Sequence, residues 1–251
     1  MPGRCKATNL CAYCARIAAV ENAEVLALDA MTNSAPAVWS VLTTRTATID
    51  TGAFRRAREG VRREVRRKWP EAESACLIEF QTGRGTRSGG ERRPHWNDTW
   101  KGVDQADVEN LHDVLSWAWC KRVDAEPPAQ FVGKVAETGG LMRYLALHFQ
   151  KESQQPPEGW RGHRFRTTRG YLAVPLEHAR DQARQALRLR RELWKAHREG
   201  YEGDDALAVA QAAFDAAACL DWSLVRMQQL PTAFGPDGLP TDWTTVPMEV
   251  S

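Results

Sequence analysis

Within six residues, His95 to Trp100, the run HWNDTW sets an imidazole, two indoles, an amide and a carboxylate side by side. Read as a strand, it sends alternate side chains to opposite faces, so His95 and Asn97 share a face and Trp96 points the other way. If the chain turns near Arg87, Glu79 on the preceding run SACLIEFQT stands opposite His95. Directly opposed residues hold their Cβ atoms about 4.5–5.5 Å apart. An imidazole nitrogen, an amide oxygen and a carboxylate placed that way suit a divalent ion such as Mn²⁺ or Mg²⁺ better than a structural zinc, because two of the three donors are hard oxygens. The same residue types also describe an edge strand whose histidine is simply packed or half-exposed. Asp98 falls on the apolar side with Ile78, Phe80, Trp96 and Trp100, where nothing in the sequence explains it.

Two further groups could do chemistry. Cys5, Cys11 and Cys14 form a CxxC with a third cysteine ahead of it, half of a structural Zn²⁺ site. The fourth ligand is not evident, His112 being a remote candidate, and free cysteines are the alternative. Cys76, Cys120 and Cys219 sit in apolar patterns and read as core. Arginines gather in two places. Arg84, Arg87, Arg92 and Arg93 surround the glycines of TGRGTRSGGERRP, beside the candidate metal set, where they could follow a nucleic-acid backbone. The run from Arg55 to Lys68 carries eight basic residues against Glu59 and Glu64, which serves phosphate binding or a solvated helix face equally well.

These residues need elements to hold them. Ala15 to Ala30 reads as a helix, and AVWSVLTTR, Ala37 to Arg45, as a strand. Phe54, Ala57, Val61, Val65 and Trp69 recur at helical spacing, with Pro70 ending the pattern. Ser74 to Thr82 and the HWNDTWKG run make a hairpin with a long Gly-rich tip. Asp104 to Val123 reads as a helix, FVGKVAE as a short strand, and GLMRYLALHFQKES as a helix beginning at Gly140. Leu176 to Arg198 and Asp204 to Met227 are charged helices expected to pair, and the tail after Pro231 reads as loosely ordered. Strands early and helices late predict an α+β fold, an antiparallel sheet with flanking helices and a C-terminal helical extension. The expected division is a Cys-containing segment over 1–30, a domain over 31–175, helices over 176–230 and a tail over 231–251.

The totals set bounds. A chain of 251 residues with 43% hydrophobic composition can bury one large domain or one domain with a helical addition. Net charge is +2, so any nucleic-acid binding rests on local distribution. No apolar run is long enough for a membrane helix, the start lacks a signal-peptide pattern, and six cysteines without an export signal point to reduced thiols or metal ligands. The expectation is a cytoplasmic protein with no membrane partner.

In order, a strand ending VLTTR, then IEFQTGRG, RRPHWNDTWKG, and LMRYLALHFQKES resembles the rolling-circle replication initiators of phages and plasmids, members of the HUH endonucleases. The resemblance spans roughly Trp39 to Tyr171 and is nearest to actinobacterial phage and plasmid versions. It implies a Rep-type, ferredoxin-like-derived domain that nicks and rejoins single-stranded origin DNA through a tyrosine–DNA 5′-phosphodiester, with a host helicase and polymerase as partners. By the same resemblance His95 is the first metal histidine, Asn97 stands where a second histidine is usual, and Glu79 completes the set. Tyr144 matches the nucleophile; Leu147 occupies the usual lysine position, leaving His148 and Lys151 as proton acceptors or phosphate partners. On a helix Tyr144, His148 and Lys151 share a face. The segment GWRGHRFRTTRGY resembles the one that follows the nucleophile helix, which makes Arg164 and Arg166 candidate DNA contacts. Similar cysteine clusters occur near the start of some initiators. Two readings from other classes stand beside this one: a non-catalytic DNA-binding replication or regulatory protein, and a helical structural protein with the hairpin as scaffold.

Overall fold

The computed structural model describes residues 12–45, 50–82, 92–135, 160, 163–201, 205, 208 and 209. They contain helices α1 (Ala12–Thr32), α2 (Thr51–Lys68), α3 (Val108–Cys120) and α4 (Leu176–Arg198), and strands β1 (Val38–Thr43), β2 (Glu73–Thr82), β3 (Arg92–Lys101), β4 (Phe131–Lys134) and β5 (Phe165–Thr167). The strands form one five-stranded antiparallel sheet in the order β4-β1-β3-β2-β5. The α+β class with flanking helices is as expected. The chain runs β1-α2-β2-β3-α3-β4, so two β-α-β crossings interleave in the sheet and β3 lies at its centre.

Local chemistry explains the elements. Asp50 caps α2 by accepting the Ala53 N–H at 2.7 Å, and Arg66, Arg67 and Lys68 stand in its last turn, where cations complement the exposed carbonyls. Phe54, Ala57, Val61 and Val65 line its buried side, and Leu111, Leu115, Ala118 and Trp119 line that of α3. Both helices pack on the sheet face that carries Val38, Leu42, Cys76, Ile78, Phe80, Trp96 and Trp100. Aromatic rings fill the layer edge to face: Phe54–Trp119 at 5.5 Å, Trp96–Trp119 at 5.3 Å and Phe80–Trp160 at 4.9 Å. Two of the layer's indoles have partners, Trp100 Nε1 donating to Ser40 Oγ and Trp119 Nε1 to the Thr43 carbonyl. After β3 the chain reverses at Gly102, whose φ of +70° a side chain would oppose, and whose added Cβ would strike the Glu71 carbonyl oxygen.

One expectation changes, and the structure adds two features. The helix predicted over Asp104–Val123 begins as a single 3-10 turn, Gln105–Asp107, and is regular only over α3. Phe165–Thr167, read as part of a DNA-contact segment, forms β5 on the free side of β2, because Leu77, Cys76 and Ala75 leave a ladder open there. The described residues also fall into two compact units: the sheet with α2 and α3, and a second unit holding α1 from Arg16 onward with α4. In that second unit α4 packs against α1, with Val20, Ala23 and Leu187 in contact and Arg184 Nε 3.3 Å from Glu21 Oε1. The expected partner of α4, Asp204–Met227, lies almost wholly outside the described residues, as do the helix beginning at Gly140, the hairpin tip and the tail. No described helix is long and apolar enough to cross a membrane.

Candidate metal and nucleic-acid site

Strand alternation on β3 sorts its side chains. Trp96, Asp98 and Trp100 turn toward α2 and α3, and Arg93, His95, Asn97, Thr99 and Lys101 turn to the opposite face. Register then fixes the neighbours. Glu79 is paired directly with His95, and Leu77 with Asn97, so Glu79, His95 and Asn97 occupy adjoining positions on one face. The positions are buried: Glu79 is 1% exposed and Asn97 3%, with His95 half-buried. Removing these side chains therefore costs packing as well as chemistry.

The donors are in forms that fit a hard cation. Asn97 Nδ2 donates to the Leu77 carbonyl at 3.4 Å, and its Oδ1 is a buried acceptor with no hydrogen-bond partner. Burial, aided by the Arg93 guanidinium, lowers the His95 pKa to about 4, so its imidazole is neutral at physiological pH and keeps a lone pair. A carboxylate, an amide oxygen and a neutral imidazole match Mn²⁺ or Mg²⁺. Among the described residues no three His, Cys, Asp or Glu side chains gather as a metal group; the set here has two of those types and an amide.

Arginines flank the site in unequal ways. Arg93 shares its face and is half-buried, as is Arg92 at the start of β3. Arg164 is also half-buried: its Nε donates to the Ile78 carbonyl at 3.2 Å, and burial lowers its pKa to about 10 while Glu79 pulls the other way. It therefore serves the sheet and offers Glu79 an internal countercharge. Arg166, on β5 opposite Cys76, is exposed. Further along the face, Tyr171 is 1% exposed, its hydroxyl 2.7 Å from Thr99 Oγ1, and Lys101 Nζ donates to the Tyr171 carbonyl at 3.0 Å. Toward the β1–β4 edge the same face presents an aromatic pair. Phe131 is 47% exposed, its ring lies 4.9 Å from that of Trp39, and it folds over Gly133, where a Cβ would collide with it.

The sequence left Asp98 without a role, and the structure supplies one. Arg62 of α2, 8% exposed, reaches it with Nη2 3.4 Å from Oδ1. Burial raises the Asp98 pKa to about 6, while Arg62, Arg58 and the nearby Trp96 N–H pull it down. The signal lay in the i, i+4 pair Arg58 and Arg62, which falls on the buried side of α2 beside Phe54 and Val65. Tyr144, His148, Lys151, Arg84, Arg87, Cys5 and Cys11 lie outside the described residues; Cys14 is buried near the start of α1. No family model, curated protein or solved structure matches the chain.

Proposed function

We propose that the chain is a single-strand DNA endonuclease and strand transferase of the HUH type, acting at a rolling-circle replication origin. The observation that carries the reading is the pairing of Glu79 with His95 on neighbouring strands at the sheet centre, with the unpartnered Oδ1 of Asn97 beside them. The order β4-β1-β3-β2 with two interleaved β-α-β crossings is the ferredoxin-like arrangement from which such domains derive, which adds support. Trp39 and Phe131 support a single-stranded substrate, since unpaired bases stack on aromatic rings held on a sheet face.

In this reading Glu79, His95 and Asn97 would hold Mn²⁺ or Mg²⁺, which supplies charge withdrawal from the scissile phosphate. The rest belongs to the chain. The Tyr144 hydroxyl attacks phosphorus, an O–P bond forms, and the P–O3′ bond breaks. The phenol, with a free pKa of about 10, gives its proton to His148 or Lys151, and the departing 3′ oxygen takes one up. A 5′-phosphotyrosine and a 3′-hydroxyl able to prime a polymerase result, and the reverse sequence rejoins the strand. Arg93 and the loop arginines contribute phosphate affinity.

A second reading, a non-catalytic DNA-binding replication or regulatory protein, is favoured by Arg164, which offers Glu79 a countercharge without any metal. One experiment separates them: incubation with labelled single-stranded origin DNA and Mn²⁺, then a search for a covalent adduct by mass. The nicking reading expects an adduct on Tyr144 that is lost in Tyr144→Phe and His95→Ala while DNA binding persists in Tyr144→Phe. An adduct undiminished in Tyr144→Phe, or none in the wild type, overturns it.

A further inference from the structure

On the helix-covered face, away from the candidate site, α2 inserts two arginines into the core. Arg58 is 3% exposed and Arg62 8%, and their guanidinium carbons lie 5.1 and 5.9 Å from the centre of the Trp96 ring. Their charges are not balanced. Arg62 bonds Asp98 through Nη2, and the unpartnered Arg62 Nε and the unpartnered Oδ2 of the same carboxylate are a complementary donor and acceptor. Arg62 and Asp98 can thus satisfy one another. Arg58 has no such acceptor: both Nε and Nη2 are buried without a hydrogen-bond partner. Those two nitrogens form one edge of the planar guanidinium, the fork that takes an anion with two parallel N–H bonds.

The remaining charges do not close the balance. The Cys76 thiol beside this group has its pKa raised by burial to about 12, so it stays neutral. Glu59 and Arg166 act on the group from exposed positions, where solvent screens them. Among the described residues, two buried guanidiniums face one carboxylate there. Arginine does not shed its proton in proteins, and a buried charge without a counter-charge is costly. The Trp96 ring offsets part of the charge. Water would satisfy the donors and leave the net charge; a divalent oxyanion would overcompensate it.

We propose that the Nε–Nη2 edge of Arg58 binds a buried monovalent anion such as chloride, which neutralises the Arg58–Arg62–Asp98 group and forms part of the folded structure. The site lies on the opposite face of the sheet from His95, so it is independent of the nicking reading. The test is thermal unfolding of the full chain at constant ionic strength, with sodium chloride replacing sodium gluconate. The wild type should gain on the order of 2–4 °C as chloride saturates, and Arg58→Met should lose that dependence. Arg58→Lys, which keeps the charge without the fork, should retain less of it than the wild type. Because either variant could fail to fold, the wild type is also crystallised with bromide. An anomalous peak within hydrogen-bond distance of Arg58 Nε and Nη2 is the expected result. Equal unfolding temperatures in the two salts, the same chloride dependence in Arg58→Met, or no bromide at Arg58 each overturn the proposal, and bromide without any chloride dependence marks an adventitious ion only.

Discussion

Tyr171 shows how placement separates residues of the same type. It follows a basic segment and could be taken for a second phenol near the scissile phosphate, but its hydroxyl is committed to Thr99 and it is buried. Tyr171→Phe should therefore leave any DNA adduct intact while costing about 1 kcal/mol, the usual worth of such a hydrogen bond, read as a lower urea midpoint. An adduct that vanishes with Tyr171 instead would move the nucleophile. Arginines divide in the same way. Arg62→Ala takes away the hydrogen-bond partner of the buried Asp98 carboxylate, leaving Arg58 as its countercharge, and should cost about 1–3 kcal/mol, whereas exposed Arg63→Ala, one residue on, should stay within about 0.5 kcal/mol. Equal midpoints for the two variants would mean the Arg62–Asp98 pair does not form. From the sequence both arginines belonged to one basic run. Their difference is a matter of helix phase against the sheet, which residue type does not encode.

The strands explain why the shared face of Glu79, His95 and Asn97 could be read in advance and its burial could not. Period-2 alternation places His95 and Asn97 together in any strand that contains them, and a hairpin turning near Arg87 puts Glu79 across from His95, as the register has it. Burial depends on what lies over the face, and no spacing within β3 reports that. β5 escaped for a related reason: three residues pairing at an edge leave almost no periodic signal, and the arginines around Phe165 read as contacts. Phe131 and Trp39 also looked like ordinary strand aromatics. Their shared face emerges only once Val41 is seen to pair with both Phe131 and Asn97. If they stack bases, Phe131→Ala should weaken single-stranded DNA binding by about 1–3 kcal/mol, roughly 5- to 150-fold. At 47% exposure the ring contributes less to folding than a core aromatic, so the unfolding midpoint should move little. Unchanged affinity, measured by fluorescence anisotropy, would remove the β1–β4 edge from the DNA path.

Over the molecule as a whole, net charge of +2 leaves the proposed DNA affinity to whichever local group of cations a strand would meet, and the sheet divides the candidates. α2 covers one face, so its exposed Arg55, Arg56 and Arg63 point away from the sheet on that side, while Arg93 shares the face of His95 and Arg92 opens the same strand. A strand engaged at His95 cannot also lie along α2 without passing around the edge of the sheet. Each phosphate contact on single-stranded DNA adds about −0.7 to the slope of log affinity against log salt. Arg92→Ala with Arg93→Ala should thus flatten the slope by about 1.4, if both contact phosphate, and should do so for any DNA sequence. Arg55→Ala, Arg56→Ala and Arg63→Ala together should leave it unchanged. The measurement is affinity for one labelled oligonucleotide across a salt series, for the wild type and both combinations. The opposite pattern, a slope that flattens only when the α2 arginines are removed, would put the DNA on the helix-covered side. It would detach the His95 face from nucleic acid altogether, because the same sheet that brings Glu79, His95 and Asn97 together also stands between them and α2.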